Sequence, residues 1–272
     1  TVGYATTQDN IFEADETTTL TVGGAVGTGT ITDNDPITLT VGNDTQVEGN
    51  NLIQTVTLSN PSSSAQTYAI SLTGNTATAV TDFNNNLANA AFSNGVTYNA
   101  GTGLVTVPAG VTSFTVSYST VNDALNEVSE TTTLTVGGVR GTGTITDNDP
   151  ITLTVGNDTQ VEGNNLIQTV TLSNPSSSAQ TYAISLTGNT ATAVTDFNNN
   201  LANAAFSNGV TYDAVTGLIT VPAGVTSFTV GYATTQDNIF EADETTTLTV
   251  GGAVGTGTIT DNDPITLTVG ND

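Results

Sequence analysis

Apolar and polar residues alternate in many short segments of this chain, which is the pattern of a strand with one buried face. The clearest segment is VTSFTVSY at 111–118, and LIQTVTL at 52–58 and TTTLTV at 131–136 have the same period. The segments are rich in Thr, Val, Ile, Tyr and Phe, which favour a pleated, half-buried surface, and Gly, Asn and Pro separate them. The pattern therefore predicts an all-β chain.

Eight segments of this kind lie between residues 37 and 149, at 37–41, 52–58, 67–72, 95–98, 104–107, 111–118, 131–136 and 141–146. Seven or eight short strands in a domain of this size are typical of a two-sheet sandwich. The acids of DNIFEADE have helical spacing, but this segment runs directly into a strand and is predicted to be a loop. One helical turn is predicted within NNNLANAA at 84–91.

The same pattern recurs along the chain. GTGTITDNDP occurs at 27–36, 141–150 and 255–264, a period of 114 residues that fits a whole small domain rather than a solenoid unit. Residues 37–98 are identical to 151–212, and residues 1–35 are identical to 229–263. We therefore expect part of a longer polypeptide, with the C-terminal part of one repeat at 1–35, complete repeats at 36–149 and 150–263, and the first strand of another at 264–272.

Composition narrows the chemistry that this chain can perform. It has 25 acidic residues against one basic residue, Arg140, a net charge of −24, and neither Cys nor His. Thiolate or imidazole metal sites and His-based catalysis are therefore excluded, and an isopeptide cross-link is excluded because there is no Lys. Phosphate backbones are recognised by Lys and Arg, so no nucleic-acid partner is expected. No run of 18 apolar residues is present, so no membrane span is predicted.

High charge with few large apolar residues also occurs in disordered chains, but the alternating segments argue against disorder here. Most of the acids lie at four places in each repeat: in VEG, in TDF, in D-x-x-x-E-x-x-E and in DND. NDALNEVSE and QDNIFEADE, from the two versions of the repeat, share three acids and little else.

Oxygen ligands without nitrogen or sulfur suit Ca²⁺. Two carboxylates 4 Å apart repel by about 4 kcal/mol at an effective dielectric near 20, so a cluster of acids needs a cation to offset the repulsion. The alternative is that Asp and Asn simply form turns and that each acid faces water alone. The four segments taken together favour a metal site.

Five stretches of the first complete repeat resemble the Calx-beta domain, in the form found as tandem repeats in large secreted bacterial adhesins of the RTX type. They are VEGN at 47–50, Asp82 with Phe83, GLVTVPAGVTSFTV at 103–116, NDALNEVSETTTLTV at 122–136 and GTGTITDND at 141–149. The resemblance implies immunoglobulin-like, Greek-key sandwiches of seven strands in an extended rod, with Ca²⁺ clustered at one end of each.

The resemblance also implies the ligands of each repeat. In the first complete repeat they would be Glu48, Asp82, Asp123, Glu127, Glu130, Asp147 and Asp149. In the second they would be Glu162, Asp196, Asp237, Glu241, Glu244, Asp261 and Asp263. The opening fragment keeps Asp9, Glu13, Glu16, Asp33 and Asp35 and lacks the two upstream ligands. The backbone carbonyls of Leu125 and Ile239 are further candidates.

Three departures from the family pattern matter. The family often has two adjacent acids where this chain has Asn122-Asp123 and Gln8-Asp9, and three acids where it has Asp-Asn-Asp, so we expect fewer or weaker ions. About twenty residues separate Asp82 from Gly103, more than the family usually places there.

We expect a structural role outside a bacterial cell. The repeats would be calcium-rigidified extenders of a secreted adhesin or cell-surface fibre, which project a distal binding module for adhesion or biofilm formation; their partners would be neighbouring repeats. A self-assembling filament or matrix, built from copies of the chain by lateral association or strand exchange, is the alternative. Glycan binding ranks lower because the chain has no Trp, and no enzyme is expected because no nucleophile–base pair is visible.

Overall fold

The computed structural model describes residues 1–269. By their contacts these residues form two compact units, one containing 1–123 and 128–148 and the other containing 124–127 and the chain from 149 onward. The first unit therefore holds the opening fragment and most of the first complete repeat. The repeat boundaries given above stay a prediction.

The first unit is built from strands. In the opening fragment, β1 (Glu16–Val22) and β2 (Ala25–Ile31) form an antiparallel hairpin. The complete repeat contributes β3 (Leu39–Val41), β4 (Asp44–Val47), β5 (Asn51–Leu58), β6 (Gln66–Gly74), β7 (Ala91–Phe92), β8 (Thr97–Asn99), β9 (Leu104–Val107), β10 (Ser113–Ser119), β11 (Glu130–Val136) and β12 (Val139–Thr146). One 3₁₀ turn lies at Leu87–Asn89.

The second unit repeats this order. Its strands are β13 (Leu153–Val155), β14 (Asp158–Val161), β15 (Asn165–Leu172), β16 (Gln180–Gly188), β17 (Ala205–Phe206), β18 (Thr211–Asp213), β19 (Leu218–Val221), β20 (Ser227–Ala233), β21 (Glu244–Val250) and β22 (Ala253–Thr260). Its 3₁₀ turn lies at Leu201–Asn203.

Each complete repeat forms two sheets. In the first unit their strand orders are β3-β5-β10-β7 and β4-β12-β11-β6-β9-β8, and in the second they are β13-β15-β20-β17 and β14-β22-β21-β16-β19-β18. Apolar residues of both sheets form one core, with Val56 and Phe114 from the four-stranded sheet and Val105 and Leu134 from the six-stranded sheet all buried. The prediction of an all-β chain of sandwich domains is confirmed.

The chain changes sheets between β3 and β4. β3 pairs with β5, whereas β4 runs parallel to β12. Polar side chains hold this crossing, because Asn43 Oδ1 accepts the Thr142 N–H at 2.8 Å and Asp44 Oδ2 accepts the Ile53 N–H at 2.7 Å. The Asp44 carboxylate therefore serves the fold, and it was not among the predicted metal ligands.

Glycines in the GTG motif let two backbones approach closely. A Cβ at Gly141 would lie 2.5 Å from the Gly42 carbonyl oxygen, and a Cβ at Gly143 would lie 2.5 Å from the Tyr118 hydroxyl. That hydroxyl belongs to a buried polar network in which it donates to Gln54 Oε1 at 3.0 Å. Burial raises the pKa of Tyr118 to about 12. The glycines of the GTG motif are thus explained by the close packing around Gly141 and Gly143.

Each of the eight predicted segments of the first complete repeat overlaps a strand, and the segment predicted to hold a helical turn contains Leu87–Asn89. Strands β4 and β7 were not predicted. Residues 264–269, predicted to begin a further repeat, form no strand, and 270–272 lie outside the described residues. No helix within residues 1–269 is long and apolar enough to cross a membrane.

Candidate metal centre

Strand pairing brings the acids of the second complete repeat together. β14 and β22 run parallel with Val161 opposite Thr260, and the Glu162 N–H donates to the Thr260 carbonyl oxygen at 3.0 Å. Glu162 and Asp261 therefore leave adjacent strands side by side. Glu244 opens β21 and lies opposite Ile259 of β22, so it reaches the same region.

The loop that carries Asp196 is fixed by its backbone. The Asp196 N–H donates to the Thr192 carbonyl at 3.0 Å, and its own carbonyl accepts the Thr235 N–H at 2.8 Å. The carboxylate also accepts the Thr192 N–H. The next residue, Phe197, is fully buried and packs edge-on against Tyr232. Core packing thus positions an acid that lies far from the others in sequence.

Six of the seven predicted ligands line one small cleft, namely Glu162, Asp196, Asp237, Glu241, Glu244 and Asp261. Carboxylate oxygens also gather in two groups of three, each within 4.8 Å of one another: Glu162, Asp237 and Asp263 in the first, and Asp196, Glu241 and Glu244 in the second. The arrangement offers two neighbouring places at which three carboxylates can meet one cation.

The electrostatics of the cleft reflect crowded negative charge. Burial raises the pKa of Glu244 to about 7, and repulsion from Asp196 adds to this effect. The pKa of Glu162, which is 8 % exposed, is raised by burial and then by the neighbouring Asp263 carboxylate. Burial, followed by repulsion from Asp237, also raises the pKa of Glu241. In the absence of a cation, Glu162, Glu241 and Glu244 therefore bind protons more tightly than free carboxyl groups do.

One buried oxygen tests whether a cation fits. Oδ2 of Asp263 is buried without a hydrogen-bond partner, although buried polar atoms nearly always have one. Asp263 belongs to the group formed with Glu162 and Asp237. Because every carboxylate of the group donates oxygen, the donor set fits a hard cation such as Ca²⁺.

The first complete repeat places its acids on the equivalent elements. Glu48 is buried after β4, and one of its oxygens lies within 4.8 Å of an oxygen of Asp123. An oxygen of Asp82 and an oxygen of Glu130 also lie within 4.8 Å of each other. Asp147 follows β12 directly. The two remaining predicted ligands, Glu127 and Asp149, belong by their contacts to the second unit.

The opening fragment has a more open arrangement. All five of its predicted ligands, Asp9, Glu13, Glu16, Asp33 and Asp35, line one wide cleft. Within residues 1–269, the groups of three close acids occur only in the complete repeats. Burial and then repulsion from Asp9 raise the pKa of Glu13. The fragment therefore has the acids from Asp9 onward, but these acids form no group of three close carboxylates.

Two uncharged residues among the acids, Gln236 and Asn262, were not predicted as part of the site. Gln236 Nε2 donates to Glu162 Oε1 at 3.3 Å, and the Asn262 N–H donates to the same oxygen at 3.4 Å. Their place in the sequence was visible, since each is adjacent to a predicted ligand. Their shared contact with Glu162 was not, because it joins segments that are far apart in sequence.

No protein-family model matches this chain, and no curated protein matches it. Among solved structures, the apo form of the Calx CBD1 domain is 19 % identical over 42 % of this chain and 98 % of that chain, with a TM-score of 0.33. The calcium binding domain CBD12 of CALX1.1 is 14 % identical over 78 % of this chain and 80 % of that chain, with a TM-score of 0.33. The I9-I11 tandem from titin is 11 % identical over 92 % of this chain and 75 % of that chain, with a TM-score of 0.23.

Proposed function

We propose that the complete repeats are calcium-binding, immunoglobulin-like domains of the Calx-beta type. The observation that carries the proposal is the Glu162–Asp237–Asp263 group, in which a buried Asp263 oxygen has no hydrogen-bond donor. A cation held there supplies the positive charge that the chain itself lacks, since its one base is Arg140. The predicted ligands of each complete repeat would hold such cations.

Calcium fits these sites better than magnesium. Ca²⁺ accepts six to eight oxygens with loose geometry, whereas Mg²⁺ demands a near-ideal octahedron and retains several waters. Carboxylates that come from separate loops satisfy the looser requirement more readily. Extracellular modules bind Ca²⁺ with dissociation constants of about 10⁻⁴–10⁻³ M, which matches a secreted protein in calcium-rich surroundings.

The role that we propose is mechanical. Asp149 and Asp263 are each followed by one proline and then by the segment ITLTV. A cation held by these aspartates lies next to the covalent joint and restricts bending there. Repeats stiffened in this way would form the extender of a bacterial surface adhesin or fibre and carry a distal binding module away from the cell.

Calorimetry and solution scattering test this proposal. In millimolar Ca²⁺ we expect a higher melting temperature and a longer maximum dimension than in chelator. The double variant Glu241→Gln, Glu244→Gln should reproduce the effect of the chelator in the second complete repeat only. Asp243→Asn is the matched control, because Asp243 is exposed in the same loop and is not a predicted ligand.

Unchanged melting and dimensions on chelation would refute the metal proposal. Filaments that appear at low concentration would instead support assembly from copies of the chain. Glycan binding has less support, because the chain has no Trp and several of its aromatic rings, among them Phe83, Phe114 and Tyr118, are buried in the core.

A further inference from the structure

The loop with the sequence D-x-x-x-E, called the acidic loop below, also makes backbone contacts. In the first unit Phe12, between the predicted ligands Asp9 and Glu13, forms an isolated parallel bridge with Ser62. The Phe12 N–H donates to the Pro61 carbonyl at 2.9 Å, and the Ser63 N–H donates to the Phe12 carbonyl at 3.0 Å. A segment of the opening fragment is thus paired with the complete repeat that follows it.

The second unit contains the same contact with a different side chain. Asn126 bridges Ser176; its N–H donates to the Pro175 carbonyl at 2.9 Å, and its carbonyl accepts the Ser177 N–H at 3.0 Å. The Ser176 hydroxyl adds a bond to the same carbonyl at 3.1 Å. Since Phe12 and Asn126 make the same main-chain bonds, the contact recognises the backbone rather than the side chain.

The receiving loop is held in shape by its own bonds. Ser62 is 4 % exposed, and its hydroxyl accepts from Gln66 Nε2 at 2.8 Å while it lies 3.3 Å from the Phe12 carbonyl. The Ser62 carbonyl accepts the Gly110 N–H at 2.9 Å. Because hydrogen bonds already fix its polar groups, this Pro-Ser-Ser loop loses little conformational entropy when another segment pairs with it.

We propose that the Pro-Ser-Ser loop of each repeat is a docking site for the acidic loop of the repeat before it, and that cation binding and docking are coupled. The coupling rests on the proposed metal site, whereas the docking does not. The docked residue lies three positions after one predicted ligand and directly before another, in D-x-x-F-E and D-x-x-N-E alike. The two flanking acids belong to different groups of three carboxylates, so cations bound to both groups would fix both ends of the segment between them. Docking on an ordered segment costs less entropy.

The third copy of the loop supplies a natural control. Phe240 occupies the position of Phe12 in an identical stretch, yet it is 59 % exposed, whereas Phe12 is partly buried. The printed sequence has two Pro-Ser-Ser loops, at 61–63 and 175–177, and the contacts above pair them with Phe12 and Asn126. The exposed Phe240 therefore serves as the undocked reference for Phe12 and Asn126.

Amide hydrogen exchange tests both parts on the full chain. In Ca²⁺, the amides of Phe12 and Asn126 should exchange at least about tenfold more slowly than that of Phe240. Asn126→Pro removes one donor and should accelerate exchange at Ser177. Phe240→Pro changes the same position of a loop that does not bond to Ser177 and should leave Ser177 unchanged. Equal exchange at the three amides, or equal effects of both prolines on Ser177, would overturn the docking.

Calcium removal tests the coupling. In chelator the amides of Asn126 and Ser177 should lose protection while the core amide of Leu134 keeps it. Unchanged protection would overturn the coupling but leave the docking in place. Isothermal titration with Ca²⁺ separates this outcome from a failure of the proposed function: binding without loss of protection on chelation contradicts the coupling alone, and no binding at all contradicts the metal site.

Discussion

The side-chain amides of Gln236 and Asn262 bind each other in both directions. Gln236 Nε2 donates to Asn262 Oδ1 at 3.1 Å, and Asn262 Nδ2 donates to Gln236 Oε1 at 2.9 Å. Gln8 and Asn34 form the same reciprocal pair in the opening fragment. An uncharged clasp therefore joins the D-x-x-x-E loop to the segment after the last strand, at a place where two further carboxylates would repel.

Replacing Gln236 of this amide pair by an acid should make the stability of the second complete repeat depend more strongly on calcium. Gln236→Glu places a new carboxylate beside Glu162, whose oxygen now accepts a bond from Gln236. We expect a lower melting temperature in chelator and a larger increase on adding Ca²⁺ than in the unmodified chain. Calorimetry in both conditions measures the two effects.

Asn99→Asp is the control for added charge. The second complete repeat already has an acid at this position, Asp213, whose pKa is lowered by hydrogen bonds from Val215 and Thr216. We expect Asn99→Asp to leave the response to calcium unchanged. An equal calcium response in both variants would show that Gln236 is not next to a cation site.

The GTG motif provides a prediction about the fold alone. Gly141→Ala forces a methyl group against the Gly42 carbonyl oxygen and should destabilise the first complete repeat by about 1–3 kcal/mol. Gly27→Ala changes the equivalent residue of the opening fragment, where a Cβ meets nothing within 4 Å, and should have little effect. Urea unfolding measures both; equal effects would contradict the packing explanation.

The buried tyrosine provides a second prediction about the fold. Tyr118→Phe removes the donor to Gln54, whose side chain is fully buried, and should cost about 1–3 kcal/mol because the amide oxygen loses that bond. Tyr98→Phe, at a partly buried ring stacked on Phe92, should cost less. Calcium affinity should remain unchanged in both, as isothermal titration would show.

The metal-free chain should become more stable as the pH falls. The pKa of Glu244 in the folded state is raised to about 7, above its value of about 4.3 in an unfolded chain. The folded state therefore binds the proton more tightly, and stability is gained between about pH 7 and pH 4.3 and lost again on raising the pH. Urea midpoints of calcium-free protein at pH 5 and pH 8 measure this.

Two comparisons complete the pH experiment. Glu244→Gln should weaken the dependence, since the group that titrates is gone. In saturating Ca²⁺ the dependence should reverse, because protons then compete with the cation for the carboxylates. A calcium-free chain that is more stable at pH 8 than at pH 5 would contradict the crowding of charge in the cleft.

Much of the fold was predictable because each strand alternates. β10 is recognisable from its sequence alone, since its residues bury every second side chain. β4 was missed because its four residues, DTQV, are mostly polar and its pairing with β12 is a tertiary effect. β7 was missed because two residues are too few to show a period.

The candidate site was predictable in composition but not in arrangement. The acids were identified because their spacing persists between two versions of the repeat, as in NDALNEVSE and QDNIFEADE. Their division into two groups of three, and the role of Gln236, depend on contacts between distant segments. The Glu162–Gln236 bond, for example, joins residues 74 positions apart. The docking of Phe12 on Ser62 likewise has no signal within a single repeat.

The most direct test of the central claim is the melting temperature of the unmodified chain at neutral pH, by calorimetry, in Ca²⁺ and in chelator at equal ionic strength. The acids gathered around Glu162 and Glu244 predict a clear increase with Ca²⁺ and a smaller one with Mg²⁺. Equal melting temperatures in Ca²⁺ and in chelator would contradict it.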